Sequence, residues 1–321
     1  MTVLVTGVAG FIGSHVAEAL LARGEAVTGI DNLNDYYDVG LKKARLARLE
    51  SRRGFTFRRI DFSDRAAMDE LAAHDFLHVV HLGAQPGVRY SLVNPYAYVT
   101  SNVMGQVTVL ELARALKNLR NVVYASSSSV YGGNTKLPFA VGDAVETPQS
   151  LYAATKRSDE LIAHTYAHLY GIPLVGLRFF TVYGPWGRPD MAPMLFAKAM
   201  LKGEPIRVFN DGEMWRDFTY IDDIVAGVLA AMASPPREKP PHKVYNLGNN
   251  KSEKLTDFIA ALEKALGVKA QMRFEPMQPG DVVSTYADIE ETRRALGFAP
   301  TTPIAAGVPK FVAWYRSYYG V

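Results

Sequence analysis

Short apolar runs alternate with longer amphipathic segments along the first half of the chain. Runs at 3–6, 26–30, 55–60, 79–82, 122–125 and 174–177 lack polar alternation and are flanked by Gly, Asp, Asn or Ser. They read as strands buried on both faces. Between them, apolar residues recur at helical spacing over 12–22, 41–50, 65–73, 96–117 and 152–169. Strand–helix alternation predicts an α/β fold, a doubly wound parallel sheet that binds ligands at the carboxyl ends of its strands.

The texture changes after Arg178. Gly and Pro thicken in GPWGRP at 184–189, then a helix (222–232) and a strand (244–247) flank a Pro-rich loop at 234–241 that reads as exposed. Helical patterns at 255–267 and 289–296 follow, and the chain closes on 307–319. The expected plan is a nucleotide domain over 1–180, with 219–250 returning to it, and a smaller, mixed C-terminal lobe over 181–321.

Composition narrows the classes. The 321 residues suit about two domains of ~150 each. Lys+Arg 35 against Asp+Glu 32 gives a net charge of +3, too mild and unclustered for a nucleic-acid coat or a polybasic membrane anchor. The absence of cysteine excludes disulfides, thiolate metal sites and a cysteine nucleophile. No run approaches the ~18 apolar residues of a membrane span. The first strand begins at Thr2 with no export signal before it, so a cytoplasmic location is expected.

GVAGFIG at 7–13 lies between the first strand and the first helix. Gly7, Gly10 and Gly13 permit a tight turn, and a helix N-terminus favours the charge of a pyrophosphate. The spacing is GxxGxxG rather than GxGxxG. The second strand ends at Asp31, where an acid accepts from ribose hydroxyls and repels a 2′-phosphate, favouring NAD over NADP. Asp31 reads equally as a turn acid, and Asp61 either reaches the adenine edge or caps a helix.

Tyr152 and Lys156 stand four apart on a helical pattern and share a face. A cation beside a phenol stabilises the phenolate and makes it a base near neutral pH. Ser126, Ser127, Ser128 and Ser129 end the strand after Val122. A hydroxyl there can bridge a substrate oxygen to the phenolate; serines of this kind also cap strand ends. His74, His78 and His81 straddle a helix-to-strand change, and His164 with His168 lacks a third ligand, so no metal site is expected. Neither HExxH nor GxSxG occurs.

Together the glycine loop, the serine run and YxxxK resemble the extended short-chain dehydrogenases/reductases, in their NAD-dependent epimerase/dehydratase branch. DNLNDYY at 31–37, AQPGVRYS at 84–91, YASSSSVYG at 124–132, RFFTVYGPWGRPDM at 178–191, RDFTYIDD at 216–223 and PMQPGD at 276–281 are similar to UDP-glucuronate 4-epimerases. The likeness runs over nearly the whole chain. In HLGAQ at 81–85, Gly83 stands where the family leads one to expect alanine, and more room near the cofactor is expected there.

The resemblance implies a Rossmann-type domain, a UDP-sugar lobe and a resident NAD. It implies Tyr152 as base, Lys156 as its partner on the nicotinamide ribose, and Ser127 as the catalytic hydroxyl. It carries Phe11, Ile12, Asn32, Phe62, Leu82, Ala84, Gln85 and Asn102 to the cofactor alongside Gly7, Gly10, Gly13, Asp31 and Asp61. It points Arg216 at the diphosphate, Phe209 at the uracil and Asp281 at the uridine ribose. Ser127, Ser128, Ser129 and Thr181 are candidates to hold the sugar carboxylate. Arg188 is either a carboxylate contact or the residue that orders its own Gly/Pro loop, and Arg89 a contact or a packing residue. The implied reaction interconverts UDP-glucuronate and UDP-galacturonate. Decarboxylation, epimerisation of UDP-galactose and a non-catalytic dinucleotide sensor are the alternatives; Thr181 argues against a neutral sugar, and the intact Tyr152/Lys156 pair against a sensor. The segments 96–117 and 152–169 resemble the pair that builds a four-helix-bundle homodimer in this superfamily. No nucleic-acid or membrane partner is expected.

Overall fold

The computed structural model describes residues 2–278 and 280–321; Pro279, within the PMQPGD motif, lies outside the described residues. Thirteen strands run in chain order among them: β1 (Thr2–Thr6), β2 (Ala26–Ile30), β3 (Phe55–Arg58), β4 (His78–His81), β5 (Asn121–Ser127), β6 (Leu174–Phe179), β7 (Thr181–Tyr183), β8 (Ile206–Phe209), β9 (Trp215–Arg216), β10 (Phe218–Tyr220), β11 (His242–Leu247), β12 (Glu253–Lys254) and β13 (Met272–Glu275). Seven form one parallel sheet in the order β11-β6-β5-β4-β1-β2-β3. The strand order reverses between β1 and β4, and a doubly wound sheet opens its ligand crevice at such a point. The doubly wound α/β architecture read from the sequence is the one observed.

The sheet's central strands are buried on both faces because helices cover them. Phe11–Ala22 follows the glycine turn directly, and Leu151–Tyr170 packs on the serine turn. Ser150 caps the second of these, accepting from the Ala153 amide at 3.1 Å, and Gly171 ends it in the left-handed conformation. The Ile221–Ala233 helix packs against Phe11–Ala22, and β11 joins the sheet beside β6. The remaining strands pair two by two: β10 with β7, β12 with β9, β13 with β8.

The sequence missed several features. The stretch 96–117 is not one regular helix: Pro95–Tyr98 is α, Val99–Met104 is a wider π turn, and α geometry resumes over Gly105–Ala115. A π turn commonly marks a local demand that outranks helix regularity. Here it lies at Asn102, whose side chain accepts from the Gln85 amide at 2.8 Å and donates to the Gln85 carbonyl at 3.1 Å and to Thr155 Oγ1 at 2.9 Å. The 65–73 pattern likewise splits, into Arg65–Asp69 and a 3-10 turn at Glu70–Ala73. The Ala192–Lys202 helix and strands β8 and β13 were not anticipated.

Candidate active site

A single cleft of about 1070 Å³ opens over the switch point and runs into the C-terminal lobe. Its first wall is the glycine turn. Gly7 has a φ of +68°, and a Cβ there would stand 2.6 Å from the Gly83 Cα. A Cβ on Gly10 would stand 2.9 Å from the Gly7 carbonyl oxygen, and one on Gly13 would overlap that oxygen outright. The glycines are therefore required by the turn's own packing, and the turn delivers backbone N–H groups at the start of the Phe11–Ala22 helix.

Asp31 is buried beside this turn. Its carboxylate accepts from the Ala9 amide at 3.2 Å and the Leu33 amide at 2.8 Å. It is thus a turn acid and a lining residue of the cleft at once. Burial pushes its carboxyl above the ordinary value, opposed by those amides and by Lys42 and Arg45. Asn32, Phe11, Ile12, Phe62, Leu82 and Ala84 also line the cleft; Asp61, Gln85 and Asn102 do not. Asp61 accepts from Asn32 Nδ2 at 2.8 Å and from Ser63, while Gln85 and Asn102 hold each other. Gly83 leaves no spare room: a Cβ there would lie 2.5 Å from Phe62 Cε1, because the Phe62 ring already occupies the space.

Tyr152 and Lys156 both line the cleft. Lys156 Nζ donates to the Ala125 carbonyl at 2.9 Å and to Asp159 Oδ2 at 3.0 Å. Tyr152 meets Tyr98 edge to face at 6.0 Å. The four serines separate. Ser126 Oγ donates to Glu160 at 2.7 Å, inside a buried network in which Arg178 spans both Glu160 oxygens at 2.8 and 2.9 Å. Ser127 ends β5, where its hydroxyl accepts from the Ser129 amide at 3.2 Å. Ser127, Ser128 and Ser129 line the cleft with Thr181.

Arg188 faces the same cleft with its fork taken by Asp190, through Nε at 3.1 Å and Nη2 at 2.5 Å. Tyr36, from the other wall, donates to Asp190 Oδ2 at 3.0 Å. At the far end, Arg89 donates to Asp281 at 3.1 Å and lies 5.0 Å over the Phe209 ring. Arg216 donates to the Trp215 and Val283 carbonyls, and burial lowers its pKa, opposed by Asp281. Arg89, Phe209, Arg216 and Asp281 therefore gather at one end of the cleft.

The glycine cradle and Asp31 fit a dinucleotide, and the aligned sequence decides which family built it. The family model described as NAD dependent epimerase/dehydratase matches residues 3–248. The chain belongs to this family. UDP-glucuronate 4-epimerase 4 of Arabidopsis thaliana is 50% identical over 99% of this chain and 76% of its own length. An uncharacterised 37.6 kDa protein of Escherichia coli O111:H- is 51% identical over the whole of both. The crystal structure of the Bacillus cereus UDP-glucuronic acid 4-epimerase with UDP-glucuronic acid and NAD superposes with a TM-score of 0.93, at 37% identity, over 99% of this chain and 100% of that one.

Within this NAD-dependent epimerase/dehydratase, several cleft residues carried no role in the sequence reading. Asp190 and Tyr36 lay inside quoted motifs without assignment, since nothing in one sequence pairs residues 154 positions apart. Glu160 was legible in principle: Arg178 is a lone charge in an apolar strand and demands a buried partner. The histidines do not converge. His78 bonds Asn121 at 2.6 Å and His81 bonds Thr6 at 2.6 Å, and no group of three potential ligands exists among the described residues. Nor, among them, is any helix long and apolar enough to cross a membrane.

Proposed function

We propose that the protein is a UDP-glucuronate 4-epimerase that interconverts UDP-glucuronate and UDP-galacturonate. The observation that carries this reading is convergence: the glycine cradle, Tyr152 with Lys156 and Ser127, and Thr181 with Arg188 all line one cleft. NAD, when bound, takes a hydride from sugar C4 and returns it to the opposite face. Tyr152 removes the C4 hydroxyl proton and returns it, Lys156 stabilises its phenolate, and Ser127 holds the sugar oxygen. Gly7, Gly10 and Gly13 admit the pyrophosphate, and Asp31 receives the adenosine ribose.

A 4-keto uronate is a β-keto acid and loses CO2 when its C5–carboxylate bond aligns with the ketone π system. Ser128, Ser129 and Thr181 supply hydroxyl donors that hold the carboxylate out of that alignment, with Arg188 beside them. Arg216 holds the diphosphate, and Phe209 and Asp281 hold the uridine. Arg89 belongs to the uridine end, because its partners Asp281 and Phe209 lie there.

Residues 1–180 and 219–250 form the NAD domain in this reading, and the rest of 181–321 binds the UDP-sugar. The Ile221–Ala233 helix and β11 support the return, since both pack with the first domain. The reading includes a cytoplasmic location and a homodimer through a four-helix bundle. Tyr96 is 81% exposed, and Val99, Met104, Leu161 and Tyr170 are also exposed on the helical segments that would pair. A monomer in sedimentation at micromolar concentration overturns the dimer.

The test of function is a proton NMR time course with UDP-glucuronate and no added reductant. Growth of UDP-galacturonate to a stable mixture supports the reading. A UDP-pentose with CO2 replaces it by decarboxylation; turnover of UDP-galactose alone replaces it by the neutral-sugar reaction. No turnover of either, with NAD bound, leaves a sensor.

A further inference from the structure

Asp159 stands behind Lys156, and no step above uses it. The two are three residues apart on the Leu151–Tyr170 helix and meet on one face. The ion pair is 3.0 Å long, with the two side chains only 3% and 2% exposed. An ammonium has three N–H donors. The bonds to Asp159 and the Ala125 carbonyl take two and leave one for the cleft that Lys156 lines. Among the described residues Asp159 Oδ1 has no partner, and neither has Gln106 Nε2, an acceptor and a donor both buried. The Asn102–Thr155 and Glu111–Tyr166 bonds tie the two helical segments in parallel, one on each side. That register sets Gln106 and Asp159 at about the same level of the interface, with no bond between the two.

The geometry points to Asp159 as a positioning residue of the Tyr152–Lys156 pair: its carboxylate aims the ammonium at the cleft and offsets its charge there. The inference rests on the roles given to Tyr152 and Lys156 above. Desolvation raises the Asp159 carboxyl to about 6, against the pull of Lys156 and with a push from Glu160. The surrounding elements contribute other ionisable groups: His81 on β4, Tyr124 on β5, Arg178 on β6, His242 on β11, Tyr98 on Pro95–Tyr98, and the mutually paired Glu111 and Arg114. Burial lowers His81 to about 3 and His242 to about 4 and pushes both tyrosines upward. Burial also pushes Glu160 upward, but Arg178 outweighs it and leaves that carboxyl below its ordinary value. Asp159 is thus the buried acid here whose charge changes near pH 6.

The experiment compares pH profiles of kcat for the wild type, D159N and D159E with UDP-glucuronate. Losing a negative charge beside the pair favours the Tyr152 phenolate and the neutral Lys156 amine. Both limbs of the D159N profile then move to lower pH, by roughly one unit. D159E keeps the charge and leaves both limbs in place. A lower rate with unmoved limbs in D159N overturns the proposal, since a purely structural residue changes height and not position. A wild type without turnover overturns the functional reading itself. A second readout needs no ligand: the difference in Tm between D159N and the wild type across pH 4 to 8. A carboxyl raised in the folded state costs stability as pH rises from about 4 to about 6. The D159N Tm therefore gains on the wild type through that window and then holds level; a constant offset overturns the titrating ion pair.

Discussion

Asp190 occupies both arms of the Arg188 guanidinium, at 3.1 and 2.5 Å. The fork geometry that suits a substrate carboxylate is already satisfied by one from the same loop. Burial pushes the Asp190 carboxyl upward, but Arg188 outweighs it and leaves the group below its ordinary value, so the pair is ionised at neutral pH. Arg188 therefore lines the cleft as a held and partly neutralised cation, fixed by Asp190 and, through Tyr36, by the opposite wall.

Asp190→Ala releases that fork. The kcat/KM for UDP-glucuronate should fall by about 10–100-fold, as for loss of a positioning contact. Without Asp190 to aim it, Arg188 should hold the substrate carboxylate less firmly out of alignment with the ketone, so the share of UDP-pentose among the products should rise. Product ratios by NMR check both; an unchanged ratio assigns Asp190 to loop order alone. Tyr36→Phe, which removes one bond to Asp190, should move the ratio in the same direction by less.

Tyr152→Phe should lower kcat by a factor of roughly 10²–10⁴, the usual range for losing a general base. The ring still packs against Tyr98, so the fold is untouched. UDP and NAD affinities by calorimetry should change by less than about threefold. Near-normal turnover would remove the assigned base.

The sheet was legible in the sequence because its central strands are apolar without alternation and helical periodicity recurs between them. The glycine turn was legible because its chemistry is local. The partners of Lys156 and Arg188 were not, although Asp159 is three residues from one and Asp190 two from the other. Spacing alone does not say whether such neighbours face solvent or each other. The π turn at Val99–Met104 was hidden for a different reason. Apolar spacing over 96–117 suits a regular helix, and only the long-range bonds of Asn102 to Gln85 and Thr155 show what the turn accommodates.

The separation of the serines gives a paired prediction. Ser126 spends its hydroxyl on Glu160, so Ser126→Ala should cost stability, about 1.5–3 kcal/mol for one bond to a charged group, with kcat within about threefold. Ser127→Ala should cost about 1 kcal/mol, for the lost bond to the Ser129 amide, and lower kcat at least ~10-fold. Denaturant melts beside steady-state rates separate the two; the reverse pattern would exchange their roles.

Phe62 and Gly83 should prove energetically coupled. A Cβ on Gly83 falls 2.5 Å from Phe62 Cε1 and 3.1 Å from Thr6 Oγ1. The ring cannot retreat toward Gly105, because a Cβ there would overlap its other edge, so glycines confine it on both sides. Phe62 is also tied by its own carbonyl to Thr108 and packs edge to face on His81 at 5.1 Å. Gly83→Ala should then destabilise by about 1–3 kcal/mol through overpacking, and weaken NAD binding because Phe62 and Gly83 both line the cleft. Phe62→Leu alone should cost about 1–2 kcal/mol for lost ring contacts. In the double variant the smaller side chain accepts the new methyl, so the combined loss should fall short of the two single losses by at least ~1 kcal/mol. A double-mutant cycle from urea melts measures that difference. Simple additivity would mean the methyl is absorbed elsewhere, and the steric account of Gly83 would fail.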